Sequence, residues 1–277
     1  MDVPSDSVPH SAPKPVARPC PSENCTLPVD IILRSSDGVL IGTHVRNLAS
    51  YGAGFAPADF APGDEAEIVE LTENAAVLEI LLQFMHPGQQ QPDSTKWAFG
   101  TLKDVAEAVE KYIIHCARQV CYLQMAAATS SHSLDVLSYA VKHDYDTLRD
   151  QIIPTTLALP AESMDSILGN TRFSLAWFRY REQYLTVGSA ILNSCPSAML
   201  HKGGLTTCAE WDAFWSKIPK SIATPGGLDR LGDFPNFFDT ERYRSIPLCS
   251  YCFKRASLWS AAIHEKCATL RPYKSFL

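Results

Sequence analysis

Residues 29–48 read VDIILRSSDGVLIGTHVRNL, and this stretch decides the fold. Val29, Ile31 and Leu33 alternate with Asp30, Ile32 and Arg34, the period-two pattern of a strand. Asp37-Gly38 follows as a turn pair and Val39-Leu40-Ile41 returns as a second short strand, so the run predicts a β-hairpin. His44-Val45-Arg46-Asn47-Leu48 then opens a helix that stops near Gly52 and Gly54, because glycine ends helices more readily than it extends them.

Downstream, Glu67-Ile68-Val69-Glu70-Leu71 predicts a third strand. Val77, Leu78, Leu81, Leu82 and Met85 share one helical stripe, closed by His86-Pro87-Gly88, and residues 89–94 read as an exposed loop. Thr101 and Asp104 are spaced like a capping box. From Leu102 through Val105, Val109, Ile113, Cys116 and Cys121 the helical spacing continues, predicting one helix or two abutting ones that run to about Met125. The order hairpin, helix, strand, helix, helix buries sheet and helices against each other, an α+β arrangement over residues 29–125.

Upstream, residues 1–28 hold seven prolines (4, 9, 13, 15, 19, 21 and 28) without apolar periodicity and read as a disordered, flexible tail. Cys20 and Cys25 lie inside it; C-x4-C is a spacing that can hold metal, but here the pair reads as two unpaired thiols.

Beyond residue 125 the chain reads as helical to about 195. Ser133 caps a helix with Leu134, Leu137, Ala140 and Val141, and Phe173, Trp177, Tyr180, Tyr184, Val187 and Ile191 mark a long one. With Arg179 and Arg181 beside it, that aromatic stripe could be pictured as a stacking platform, but a stripe at helical spacing is more often core. Residues 196–277 are interrupted by Gly203-Gly204 and Pro225-Gly226-Gly227 around one amphipathic segment, Trp211 to Ile218, and end in a helix expected from Ser257 to Cys267.

With 46% hydrophobic residues most of these 277 residues have the composition of a folded protein. The net charge of −6, from 24 basic and 30 acidic side chains, argues against nucleic-acid binding, which needs clustered positive charge. No 18-residue apolar run is present and the start lacks the apolar core of a secretory signal, so no membrane partner and a cytoplasmic or nuclear location are expected. Nine cysteines, mostly scattered through apolar segments, fit a reducing compartment.

Residues 29–125 resemble the BTB/POZ family. Val29 to Leu33 with Gly38 to Ile41 and then His44 look like its opening strand pair and histidine-led helix, Phe55 sits where a hydrophobic residue follows, and Val105 to Tyr112, closing on Lys111-Tyr112, is the most family-like piece. The sequence looks closest to the divergent BTB proteins of fungi. Residues 126–195 resemble, through Leu137 to Tyr145, the BACK-like helical extension that follows many BTB domains. The resemblance implies a non-enzymatic protein-protein interaction adaptor, including a substrate adaptor for a cullin-type ubiquitin ligase, with a cullin scaffold or another BTB protein as partner. An alternative is a nuclear, transcription-linked regulator with a structural zinc site in its C-terminal region. The family's helix before the first strand, used in strand-swapped dimers, has no counterpart in the proline-rich start, which leaves homodimerisation open. The position of His44 is, in that fold, a hydrogen-bonded structural residue.

Candidate chemistry is sparse. No Walker loop, dinucleotide glycine run, HExxH or GxSxG elbow is present, and no catalytic or cofactor-binding residues are assigned. Cys116 and Cys121 share the phase of the buried stripe, where thiols are inert. Cys249-Ser250-Tyr251-Cys252 is a C-x2-C half-site for tetrahedral structural zinc. Two completions are open: His264 and Cys267 on the final helix, or Cys208 and Cys195. The resemblance favours the second, through a cysteine ahead of a tryptophan helix in related fungal proteins.

Overall fold

The computed structural model describes residues 17–55, 67–88, 90–223 and 225–277. Packing divides the chain into two units, Met1–Ser131 and His132–Leu277. Among the described residues the architecture is α+β, mostly helical with one three-stranded sheet. No helix among them is long and apolar enough to cross a membrane.

In the first unit, strands β1 (Ile31–Arg34) and β2 (Leu40–Thr43) form the expected hairpin, paired antiparallel with Leu33 opposite Ile41. Gly38 takes the turn at φ +82°, a conformation that side chains disfavour, and its N–H donates to Ser35 O at 2.9 Å. Helix α1 (Val45–Tyr51) carries the chain away and ends at Gly52. Strand β3 (Glu67–Glu70) then joins β1 in parallel, giving the order β2-β1-β3.

Helix α2 (Ala75–Phe84) is capped by Asn74, whose side chain accepts from Val77 N. Asp37 of the hairpin turn accepts from Ala75 N at 3.0 Å, tying turn and helix start together. Val77, Leu78, Leu81, Leu82 and Met85 are all at most 3% exposed and pack on helix α3 (Phe99–Lys111), which packs on helix α4 (His115–Ala127). Each such buried side chain stabilises by about 1.5–3 kcal/mol. The abutting-helix alternative is the observed one: Ile113 sits at φ +53°, an unusual conformation for a β-branched residue, and separates α3 from α4. The expected cap at Thr101 is not formed. A 3-10 turn, Ser94–Lys96, capped by Asp93, delivers the chain into α3 at Phe99, so Thr101 lies inside the helix.

Lys111 and Tyr112 converge on Glu73: Lys111 Nζ donates to Oε1 at 2.8 Å and the Tyr112 hydroxyl to Oε2 at 2.5 Å. Burial works to raise the Glu73 carboxyl, but these donors outweigh it and hold the pKa below its ordinary value. Burial and the Glu73 carboxylate push Tyr112 up to about 12. Phe55 stacks on the Tyr112 ring at 4.3 Å.

Residues 17–28 are not the loose tail expected from their prolines. Arg18 N donates to Leu40 O and Gly42 N to Arg18 O, both at 2.8 Å, so the arm lies against β2. The prolines at 4, 9, 13 and 15 fall outside the described residues.

The second unit is helical. Helix α5 (Thr129–Lys142) breaks its helical geometry at His132, next to the Ser133 start read from sequence. Helices α6 (Asp146–Ile152), α7 (Ala161–Leu168) and α8 (Thr171–Asn193) follow. The aromatic stripe of α8 is core: Trp177 and Tyr180 are at most 2% exposed, and Trp177 Nε1 donates to Thr156 Oγ1 at 2.9 Å. The stretch 196–277 is more regular than its glycines and prolines suggest, containing α9 (Ala209–Trp215), α10 (Ile218–Ala223), α11 (Pro225–Asp229), α12 (Phe234–Ser245) and α13 (Ser250–Cys267). It packs with the preceding helices: α13 lies on α8, and Trp259 Nε1 donates to Ile191 O at 2.9 Å. Trp211, Phe214, Phe238 and Trp259 form the aromatic centre of this unit, with the Phe238 and Trp259 rings 5.1 Å apart.

Candidate metal centre

The final helix begins at Ser250, seven residues earlier than its apolar pattern suggests. Cys249 is its N-cap and accepts from Cys252 N at 3.5 Å, so the C-x2-C pair occupies the first turn of α13. Cys208 stands in the same place on α9. Thiolates in such positions face unpaired amides and the positive end of the helix, which favours their ionised form. Glu210, in the first turn of α9, accepts from Leu248 N and Cys249 N at 3.1 Å each and so fixes the two helix starts to one another.

The fourth member is His201. The chain turns back through Gly203 and Gly204, with His201 N donating to Leu205 O at 2.8 Å, and this turn brings His201 and Cys208 to the same place. His201 Nε2 lies 3.4 Å from Cys252 Sγ and its Nδ1 4.0 Å from Cys249 Sγ. The ring stacks on Tyr251 at 5.3 Å. All four ligand atoms, from His201, Cys208, Cys249 and Cys252, lie within 4.8 Å of one another. Tetrahedral zinc, with bonds of about 2.3 Å to sulfur and 2.0 Å to nitrogen, sets its ligands roughly 3.3–3.8 Å apart. The group is therefore able to hold a metal ion after contracting by less than about 1 Å.

Without a cation, three thiols crowd one another. Burial and the neighbouring Cys249 and Cys208 thiols push Cys252 far up. Burial also works to raise Cys208, but donation from the backbone at Trp211 and Glu210 and from the Cys252 and Cys249 thiols lowers it.

Of the residues expected at this centre, Cys208, Cys249 and Cys252 come together and Cys195 does not. Cys195 Sγ faces Pro196 O at 3.6 Å and Arg255 Nη2 at 3.8 Å, and Arg255 in turn lies over the Trp211 ring. The alternative partners are also elsewhere. His264 Nδ1 donates to Ser260 O at 2.9 Å, and Cys267 faces Leu231 O at 3.7 Å, its thiol pushed up to about 11 by burial. The reason is the early start of α13: a rise of 1.5 Å per residue puts His264 about 18 Å along the helix from Cys252. His201 belongs to neither of the two completions that spacing suggested. A histidine just ahead of a Gly-Gly turn that leads to Cys208 was the available signal.

Cys121 is fully buried, as its helical phase predicts, with its thiol pushed up to about 12, chiefly by burial, whereas Cys116 is only half-buried, its thiol 3.3 Å from Phe84 O. Comparison with protein-family models, with curated proteins and with solved structures found no match to this chain.

Proposed function

We propose that this chain is a protein-interaction adaptor of the BTB/POZ kind, whose second unit is held in shape by structural zinc on His201, Cys208, Cys249 and Cys252. The adaptor half is carried by the order and pairing of the first unit. A hairpin, a histidine-led helix, a third strand and then packed helices are what the BTB resemblance of residues 29–125 implies, and the third strand here pairs parallel to the first. The zinc half rests on the donor set. Three sulfurs and one imidazole make a closed tetrahedral shell with no open position for water or substrate, so a bound ion supplies stability rather than catalysis. An adaptor works by presenting surface, and rigid helix ends around such an ion hold that surface in one shape.

Affinity purification of the intact chain, with the bound proteins identified, is expected to return a cullin scaffold or another BTB protein; folded chain recovered with neither overturns the adaptor reading. Metal analysis is expected to find zinc that Cys249→Ala removes. Zinc content unchanged in that variant overturns the assignment of the centre.

A further inference from the structure

The arm ahead of β1 carries two thiols to a second place of convergence. Gly42 makes its seat possible: a Cβ there would meet the Val29 methyls at 2.8 and 2.9 Å and Arg18 O at 3.2 Å. Past Arg18 the arm turns through Asn24 at φ +57°, with Cys25 N donating to Ser22 O at 3.3 Å. This brings Cys20 and Cys25 to His44, the residue before α1, and His86, which follows α2. The four ligand atoms lie within 4.8 Å of one another, and the imidazoles are 3% and 9% exposed.

The hydrogen bonds say what the site wants. His44 Nδ1 lies 2.8 Å from Pro28 O and His86 Nδ1 3.3 Å from Pro87 O. A carbonyl oxygen accepts and never donates, so each Nδ1 carries a proton, and in the neutral rings each Nε2 presents a lone pair. Both Nε2 atoms point at one sulfur, each 3.1 Å from Cys25 Sγ, which has one proton to share between them. One buried lone pair is then left facing sulfur. A cation removes that conflict: it accepts both nitrogens and, with the thiols ionised, both sulfurs, while the backbone carbonyls orient the rings in the way usual for metal-bound histidine.

We infer that Cys20, Cys25, His44 and His86 form a second, tetrahedral zinc site that clasps residues 17–28 onto the outer edge of β2. Two sulfurs and two nitrogens suit zinc, and two thiolates balance its charge. The clasp has a structural task. In the order β2-β1-β3, β2 is an edge strand, and an open edge is a template for pairing with another chain. The arm covers that edge through Arg18, yet it has little apolar purchase of its own, since Leu27 and Val29 are 46% and 41% exposed. Metal occupancy thus decides whether the edge is covered.

The test uses the purified, intact chain. Replacing Cys20→Ser and Cys25→Ser together is expected to lower zinc content by one per chain, whatever the centre at Cys249 and Cys252 holds, and the converse pair Cys208→Ser with Cys252→Ser is expected to spare that zinc. In the wild type, where folding is not at issue, Cys20 and Cys25 are expected to resist iodoacetamide until a chelator is added and to be modified afterwards, as read by peptide mass. Amide exchange at Gly42 is expected to quicken in the Cys20→Ser, Cys25→Ser chain. Zinc content unchanged by that pair of substitutions, or equal alkylation of both thiols before and after chelation, overturns the site.

Discussion

The two Cys/His groups are built into their units in opposite ways. In the first unit the cysteines come from an arm and the histidines flank α1 and α2, while the buried apolar side chains Leu48, Leu78, Leu81 and Val105 come from α1, α2 and α3 and not from the arm. In the second unit two of the three cysteines are the N-caps of α9 and α13, and these helices carry Trp211, Phe214 and Trp259, the centre of the core. A metal at the first place fastens something onto a finished core. At the second it belongs to the core's framework, and the same ion is expected to matter unequally.

The largest expected effect breaks or upholds that contrast directly. Cys208→Ser with Cys252→Ser removes two of the proposed ligands, and structural zinc in small domains contributes on the order of 10 kcal/mol to folding, comparable to the whole stability of a domain. The thermal transition of the second unit is expected to vanish in calorimetry while that of the first persists. Two unchanged transitions would end the distinction. Next in size, Trp259→Ala is expected to cost about 3–5 kcal/mol in denaturant titration, because a fully buried indole, its Nε1 bonded to Ile191 O, leaves a large cavity. It is also expected to weaken zinc retention at the second centre, and retention at the wild-type level would separate the core from the metal.

A smaller effect probes the first unit without touching any ligand. Glu73 is held below its ordinary pKa by Lys111 and Tyr112 against the cost of burial, so its contribution is full above the ordinary carboxylate value and is lost as pH falls through the lowered one. Glu73→Gln is expected to cost on the order of 1 kcal/mol near neutrality and to flatten the first unit's acid-side stability curve. An acid-side curve with wild-type slope would show that the cluster is not linked to folding. Smallest of all, Cys195→Ser is expected to change stability by no more than about 0.5 kcal/mol and to leave zinc content alone, while His201→Ala lowers it. Metal loss in the Cys195 variant would restore the set of four cysteines.

What was legible in the sequence follows the same division. The hairpin showed itself through alternation and Asp37-Gly38, and α2 through its five-residue stripe, because local periodicity and turn chemistry dictate both. The stripe of α8 was legible as core for the same reason. The start of α13 was not, because its cap is a cysteine rather than the usual serine, threonine or aspartate, and the apolar rhythm becomes clear only past Ser257. Three of the second group's four ligands could be named, since C-x2-C and a cysteine ahead of a helix are local signals. His201, His44 and His86 could not be joined to their thiols, because those meetings depend on where the turns, the arm and the helix ends come to lie in space.

The helices that begin at Cys208 and Cys249 also place three indoles together: the Trp259 ring lies 6.3 Å from Trp211 and 5.3 Å from Trp215. Indole transitions at such separations couple, so the near-ultraviolet dichroism of this trio depends on how α9 and α13 are set against each other. The protein thereby carries its own optical gauge, in which binding of an ion at the proposed centre, itself neither absorbing nor emitting, would become visible without a label.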